Sequence, residues 1–245
     1  MVTLKTVSGR PHGCLEAAVS RIEMLRKVPI FAGLSDQELQ SLADNLRKRT
    51  FAKGMIIFHK DSPGRSLYII VSGKVRIFIL SESGQEISVR IYGCGDVFGE
   101  LSMLDGLPRS AGAVAMERTE VLTLDRDDFL PLLERFPRLA AGIIATLSQR
   151  FRYTTKYAES LAFLDVFGRV ADRLLELADC YGVDRAEGRE IDLRLTQTEL
   201  ASLVAATRES VNKVLGTFRD EGLIKLDGQC IVILDRRGLH RKTLY

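Results

Sequence analysis

The sequence predicts an α+β chain: an antiparallel β-roll, double-stranded and jelly-roll-like, then a long dimerisation helix, then a C-terminal winged helix-turn-helix. Three observations carry this. Between Phe51 and about Leu124, short runs alternate at period two and are cut by glycine turns, the pattern of an antiparallel sheet. From about Arg138 to Ala162, apolar residues recur at spacings of three and four, the pattern of a helix. Beyond Leu195, two short capped helices joined by a tight turn precede a hairpin, which is a helix-turn-helix followed by a wing.

Residues 1–20 carry Gly9, Pro11 and Gly13 among polar residues and read as a flexible extension. Ile22, Leu25 and Val28 open a helical entry to the domain at 21–137, and Ser35 with Glu38 three residues on forms a capping box. Strands are expected at 55–58, 66–71, 74–80, 86–92, 112–115 and 120–124. The dimerisation helix at 138–163 sets Ile144, Leu147, Phe151, Thr154, Ala158 and Leu161 on one seam. Such a coiled-coil spacing implies a homodimer, the alternative being a helix packed on its own sandwich. Asp165 is an N-cap opening the domain at 164–245, with 162–166 as the hinge. There Thr196 and Glu199 form a second capping box, Ala205-Ala206 make the turn, and Thr207 caps a second helix through Phe218. Asp227-Gly228 between apolar runs predicts a hairpin with a primed turn.

Composition narrows the function classes. The 245 residues, 46% of them hydrophobic, suffice for two modest domains with a core each. A net charge of +3 permits nucleic-acid binding without arguing for it. Since no apolar run reaches signal-peptide or membrane-span length, a cytoplasmic protein with no membrane partner is expected. Cys14, Cys94, Cys180 and Cys230 are scattered, as are His12, His59 and His240, so reduced thiols and no metal site are expected. No Ser/His/Asp grouping, H-E-x-x-H or P-loop occurs, so no catalytic residue is assigned and an enzyme is not expected.

The stretch from Phe98 to Ala111 is the most informative in the chain. Gly99 lets backbone approach a ligand, and Glu100-Leu101-Ser102 can open a short helix with free N–H groups aimed at an anion. Past Pro108, Arg109 offers a charged fork to the same phosphate, with Ser110 beside it. Glu100 only accepts hydrogen bonds when ionised, so its sensible partner there is a ribose hydroxyl. One small molecule, a cyclic nucleotide, carries both groups. The bland alternative is a surface turn with one solvated Glu and one solvated Arg.

Phe98-Gly99-Glu100-Leu101 and Pro108-Arg109-Ser110-Ala111 resemble the phosphate-binding cassette of the cyclic-AMP receptor type of the CRP/FNR transcription regulator family, at that family's separation. The resemblance spans nearly the whole chain after residue 20. It implies a homodimer that takes cyclic AMP as allosteric ligand, with cyclic GMP, another nucleotide or no effector as the alternatives, at Gly99, Glu100, Leu101, Ser102, Arg109 and Ser110. It also implies RNA polymerase as a partner. In the family, paired hydroxyl residues ahead of a Leu-Ala-Phe-Leu-Asp-Val segment, here 161–166, contact the base from both subunits. Thr154 and Thr155 match by position, although either could simply bond back to a helix carbonyl. Arg90, on the strand leading to the cassette, either intrudes on the base pocket or points to solvent. The family's oxygen sensors hold an iron–sulfur cluster on grouped N-terminal cysteines, a grouping this sequence does not have.

On the second helix of the pair, Arg208, Glu209, Asn212 and Lys213 are expected on the exposed side near the N-terminus, where a recognition helix enters the major groove. Arg and Lys suit guanine, and Glu209 can accept from cytosine N4. The row from Thr207 to Lys213 resembles the family's recognition helix. The family often has Arg where Lys213 stands, which leaves base preference open there. Thr196, Gln197 and Thr198 are candidates for phosphate contacts at a helix N-terminus. The expected partner is double-stranded DNA with a twofold-symmetric site.

Overall fold

The computed structural model describes residues 21–244 in two compact units, one ending at Tyr153 and one beginning at Thr154. The expected extension at 1–20, with His12 and Cys14, lies outside the described residues.

The first unit opens with α1 (Arg21–Lys27), a 3-10 turn (Pro29–Phe31) and α2 (Asp36–Ala43). The capping box on α2 forms as the sequence predicts: Ser35 accepts from the Glu38 amide, and Glu38 accepts from the Ser35 amide at 2.7 Å. Then come β1 (Arg47–Phe51), β2 (Ile56–Phe58), β3 (Ser66–Ser72), β4 (Val75–Leu80), β5 (Glu86–Tyr92), β6 (Val97–Phe98), α3 (Glu100–Asp105), β7 (Gly112–Ala115), β8 (Thr119–Asp125) and α4 (Arg126–Arg135). They make two four-stranded antiparallel sheets, ordered β1-β8-β3-β6 and β2-β7-β4-β5.

Alternation sorts the core into two layers. On β3, Leu67 and Ile69 point to the helices, where they meet Leu25, Phe31, Leu39, Phe129 and Leu139. Tyr68 and Ile70 point the other way and meet Phe51, Val75, Tyr92, Phe98 and Val121 between the sheets. Burial on both faces explains why β3 reads as an unbroken apolar run, Leu67 to Val71, rather than a strict alternation. The cassette therefore begins where β6 leaves the inner layer, with Phe98 only 1% exposed.

α5 (Pro137–Phe163) follows, and the boundary between the units falls inside it rather than at its ends. Along the predicted seam Ile144 and Phe151 are 64% and 75% exposed, while Leu147 packs on the helical core of the first unit.

The second unit continues with α6 (Val166–Tyr181), β9 (Gly182–Arg185), β10 (Gly188–Ile191), α7 (Gln197–Leu203), α8 (Arg208–Asp220), β11 (Ile224–Asp227), β12 (Cys230–Ile233) and α9 (Arg236–Arg241). Asp165 caps α6 by accepting from the Gly168 amide at 2.8 Å. Val170 and Leu174 on α6, Leu200 and Leu203 on α7, and Val211, Val214 and Phe218 on α8 are all buried. The strands form one antiparallel sheet ordered β11-β12-β10-β9.

Candidate functional site

The cassette is built around a buried cation. Arg109 is only 4% exposed. Its Nη1 donates to the Gly99 carbonyl at 2.5 Å and to Ser102 Oγ at 3.2 Å, and its Nη2 donates to the Ser66 carbonyl at 2.8 Å. The guanidinium carbon lies 4.3 Å from the centre of the Phe58 ring and 5.7 Å from that of Tyr68. Two glycines make room for it. A Cβ on Gly64 would sit 2.3 Å from Arg109 Nε, and one on Gly99 would sit 2.7 Å from Nη1. Gly99 also has φ +76°, a left-handed conformation that costs a side-chain-bearing residue about 1 kcal/mol or more.

No carboxylate pairs with Arg109 among the described residues, and its Nε, fully buried, has no hydrogen-bond partner. Burial pushes the guanidinium below its usual pKa, against the opposing effects of Tyr68 and of the Glu100 charge. Nη1 and Nη2 thus meet the carbonyls of Gly99 and Ser66 and the hydroxyl of Ser102, and Nε is the nitrogen without a partner.

Glu100 opens α3 and is likewise buried, 4% exposed. It pairs with Arg150 on α5, which also donates to the Val97 carbonyl and lies over the Tyr92 ring at 4.9 Å. The pairing with Glu100 holds Arg150 above its ordinary pKa against the opposing effect of burial. Ser102 is buried beside Arg109, whereas Leu101 and Ser110 are exposed. Arg90 is half-buried rather than turned to solvent, and lies over the Tyr153 ring at 4.3 Å and the Tyr92 ring at 5.3 Å. Thr154 and Thr155 are exposed on α5 and belong to the second unit.

In that unit α7 and α8 carry the residues assigned to DNA. Thr196 Oγ1 accepts from the Glu199 amide at 3.2 Å, and Glu199 accepts from the Thr196 amide at 2.7 Å. Thr207 accepts from the Ser210 amide at 3.2 Å. Gln197 Oε1 accepts from Arg208 Nε at 3.3 Å, linking the starts of the two helices. Arg208, Glu209 and Lys213 are exposed. Glu209 titrates below the ordinary carboxylate range because backbone and Thr207 hydrogen bonds at the helix start favour its charged form. Asn212 departs from the expected exposed row: it is half-buried, and its Oδ1 is enclosed without a hydrogen-bond partner. The turn places Ala205 at φ +49°, while the Ala206 amide reaches back to the Ala201 carbonyl at 3.1 Å.

Comparison with known proteins places both halves. Residues 48–136 match the cyclic nucleotide-binding domain family, and residues 168–242 match the Crp-like helix-turn-helix domain family. A CRP-like cAMP-activated global transcriptional regulator of Mycobacterium tuberculosis is 36% identical over 221 residues, which is 90% of this chain and 99% of that protein. The chain belongs to the CRP/FNR family of transcription regulators. A cyclic AMP receptor protein of Thermus thermophilus is 36% identical over 81% of this chain and 88% of its own length. Among solved structures, a global regulator of Xanthomonas campestris, described as c-di-GMP responsive, shares the fold with a TM-score of 0.74. It is 24% identical and covers 82% of this chain and 100% of its own.

Within this CRP/FNR chain, Arg150 is the cassette residue that sequence reasoning missed. Its partner lies 50 positions away, and its own surroundings, Gln149-Arg150-Phe151-Arg152, look like an ordinary solvated helix face. The available signal was Glu100 itself, since a carboxylate expected in a buried cassette calls for a cation from elsewhere in the chain. Phe58 and Tyr68, which flank the Arg109 guanidinium, were legible only as strand residues.

Proposed function

We propose that the chain is a homodimeric, sequence-specific DNA-binding regulator whose effector is cyclic AMP. The carrying observation is Arg109, a buried guanidinium with no carboxylate partner and an unengaged Nε. A cation held this way costs several kcal/mol unless an anion compensates it, and a cyclic phosphate supplies that charge. On this reading Arg109 and the backbone after Gly99, through Leu101, Ser102 and Ser110, hold the phosphate. Glu100, which uses one oxygen for Arg150, receives a ribose hydroxyl on the other. Thr154 and Thr155 read the base, and Ile144 and Phe151 pack against a second copy of α5.

The names of the relatives at 36% identity, one cAMP-activated and one a cyclic AMP receptor, support this effector over cyclic GMP. On the DNA side, the exposed Arg208, Glu209 and Lys213 face base edges, with the half-buried Asn212 at the margin of that row, and Thr196, Gln197 and Thr207 lie near phosphates. Two such heads on a twofold axis reach successive major grooves about 34 Å apart. Ligand acts by its differential affinity for the dimer arrangement that sets this spacing. RNA polymerase is the partner, in the cytoplasm.

Calorimetric titration with cyclic AMP and with cyclic GMP, followed by DNA-site selection with and without the bound nucleotide, tests the reading. Heat with cyclic AMP and a symmetric selected site that depends on it support it. No heat at high micromolar cyclic AMP removes the effector, and no selected site removes the DNA function.

A further inference from the structure

A second buried cation lies in the DNA-binding unit, away from every residue assigned to nucleotide or DNA. Arg173 on α6 is 5% exposed. Its Nη2 donates to the Leu203 carbonyl at 3.1 Å, and its Nη1 meets Glu176 Oε2 at 2.8 Å. Its guanidinium carbon lies 5.0 Å from the centre of the Tyr157 ring. These contacts reach three elements. Leu203 ends α7, the first helix of the helix-turn-helix, and leads into the strained turn at Ala205. Glu176 is on α6 itself. Tyr157 is on α5, one turn beyond Thr154.

The surroundings of Arg173 are polar and incompletely paired. Tyr157 keeps its hydroxyl buried with no hydrogen-bond partner, as Arg169, on the same side of α6, keeps its Nε. Burial raises the Tyr157 pKa while Arg173 and Arg169 act to lower it. A hydrophobic residue of similar volume would fill the place of Arg173, although the Leu203 carbonyl and Glu176 would lose their donor, at some cost in stability. What such a residue cannot do is hold the last carbonyl of α7 and the face of an α5 ring with the same group.

We infer that Arg173 is a positioning residue that couples the end of α5 to the reading head, setting the exit angle of α7 and the turn according to where Tyr157 stands. This rests on the function proposed above, because α5 is the covalent path from the residues assigned to the nucleotide. It adds the element through which their state reaches α8.

The test compares the full-length protein with Arg173→Met, Arg173→Lys and Tyr157→Leu. Fluorescence anisotropy on a duplex recovered by site selection gives DNA affinity with and without cyclic AMP. Calorimetry gives the cyclic AMP affinity, and amide hydrogen exchange follows residues 197–206. Arg173→Met should bind cyclic AMP as the parent does, yet lose about tenfold in the ratio of the two DNA affinities, the usual size of an allosteric coupling. Arg173→Lys should restore part of that ratio, since an ammonium can reach the Leu203 carbonyl but has no fork for Glu176 as well. Tyr157→Leu, which leaves the contacts of Arg173 with Leu203 and Glu176 in place, should lower the ratio in the same direction.

Faster exchange at 197–206 in Arg173→Met is expected whether or not cyclic AMP is the effector, and unchanged exchange overturns the inference outright. Equal loss of DNA affinity in both arms, with the ratio intact, also overturns it, because that is what a merely structural role produces. Should Arg173→Met fail to fold, Tyr157→Leu decides alone. A parent protein whose DNA binding ignores cyclic AMP instead counts against the proposed effector, and the exchange measurement then decides on Arg173.

Discussion

Replacing Arg109 with Leu separates ligand recognition from folding, because the two draw on different parts of the residue. In the unliganded protein the substitution removes a buried cation that lacks a carboxylate partner, which by itself is neutral or stabilising by about 1–4 kcal/mol. Against this, the carbonyls of Gly99 and Ser66 lose their donors, at about 1–3 kcal/mol for each that stays dry. The two effects nearly cancel, so the melting temperature without ligand should move by only a few degrees. Binding has no such compensation. Truncating one partner of a buried charge pair costs about 2–5 kcal/mol, or roughly 30- to 4,000-fold in Kd at about 1.4 kcal/mol per decade.

The consequence is visible in a thermal shift. Cyclic AMP at about 100 times the parent Kd stabilises the folded state by about 2.7 kcal/mol, and a variant weakened by several hundredfold gains only a few tenths. Differential scanning fluorimetry with and without nucleotide, paired with calorimetric titration, reads both quantities. An Arg109→Leu protein that binds cyclic AMP within threefold of the parent refutes the assignment of the phosphate to this guanidinium. A variant that unfolds without ligand refutes the cancellation argued from its carbonyl contacts.

Further outcomes follow from other sites. Phe151→Glu or Ile144→Glu alters a side chain that is mostly exposed, so sedimentation should show half the parent mass with little loss of secondary structure by circular dichroism; retention of a dimer would place the self-contact elsewhere. Ala205→Gly relieves the left-handed turn, worth about 1–2 kcal/mol, against about 0.5–1 kcal/mol for the added freedom of glycine, so chemical denaturation should show a gain of about 0.5 kcal/mol. Burial raises Tyr157 above the ordinary value of 10.0. Its contribution to stability is therefore complete below pH 10 and is lost as pH rises through the folded-state value. Tyr157→Phe should show a shallower alkaline loss of stability than the parent, and an identical slope would show that this phenol does not ionise on unfolding.

The elements that were legible are those whose pattern is set by local geometry. Capping at Ser35, Asp165, Thr196 and Thr207 appears at the predicted residues because an N-cap needs only a side-chain oxygen two or three residues from a free amide. The strands from Ile56 to Tyr92 follow from their apolar runs. β1 was not legible: its Arg47-Lys48-Arg49-Thr50 keep their side chains exposed, and it pairs only with β8 at the sheet edge. Charge on an edge strand guards against further pairing, and the same charge hides it from a hydrophobic pattern. β9 and β10 escaped for a related reason, since Val183-Asp184-Arg185 and Arg189-Glu190 read as a polar loop until β12 is placed beside β10.

The cassette shows where local reading stops. Gly99, Glu100 and Arg109 could be recognised together because they lie within a dozen residues, but what each touches is decided by chain far away: Ser66 for Arg109, Arg150 for Glu100. Those long-range partners change the chemistry as well as the geography. A free surface arginine would bind phosphate only weakly, since water screens it. Arg109 is withdrawn between two aromatic faces and two glycines, so an anion that reaches Nε meets a nearly dry cation. Glu100, meanwhile, has its charge already matched by Arg150, so on the function proposed above it would not repel a phosphate as a bare carboxylate would. On that proposal, selectivity for an anion that also carries a sugar hydroxyl depends on Arg150 as much as on the two motif residues.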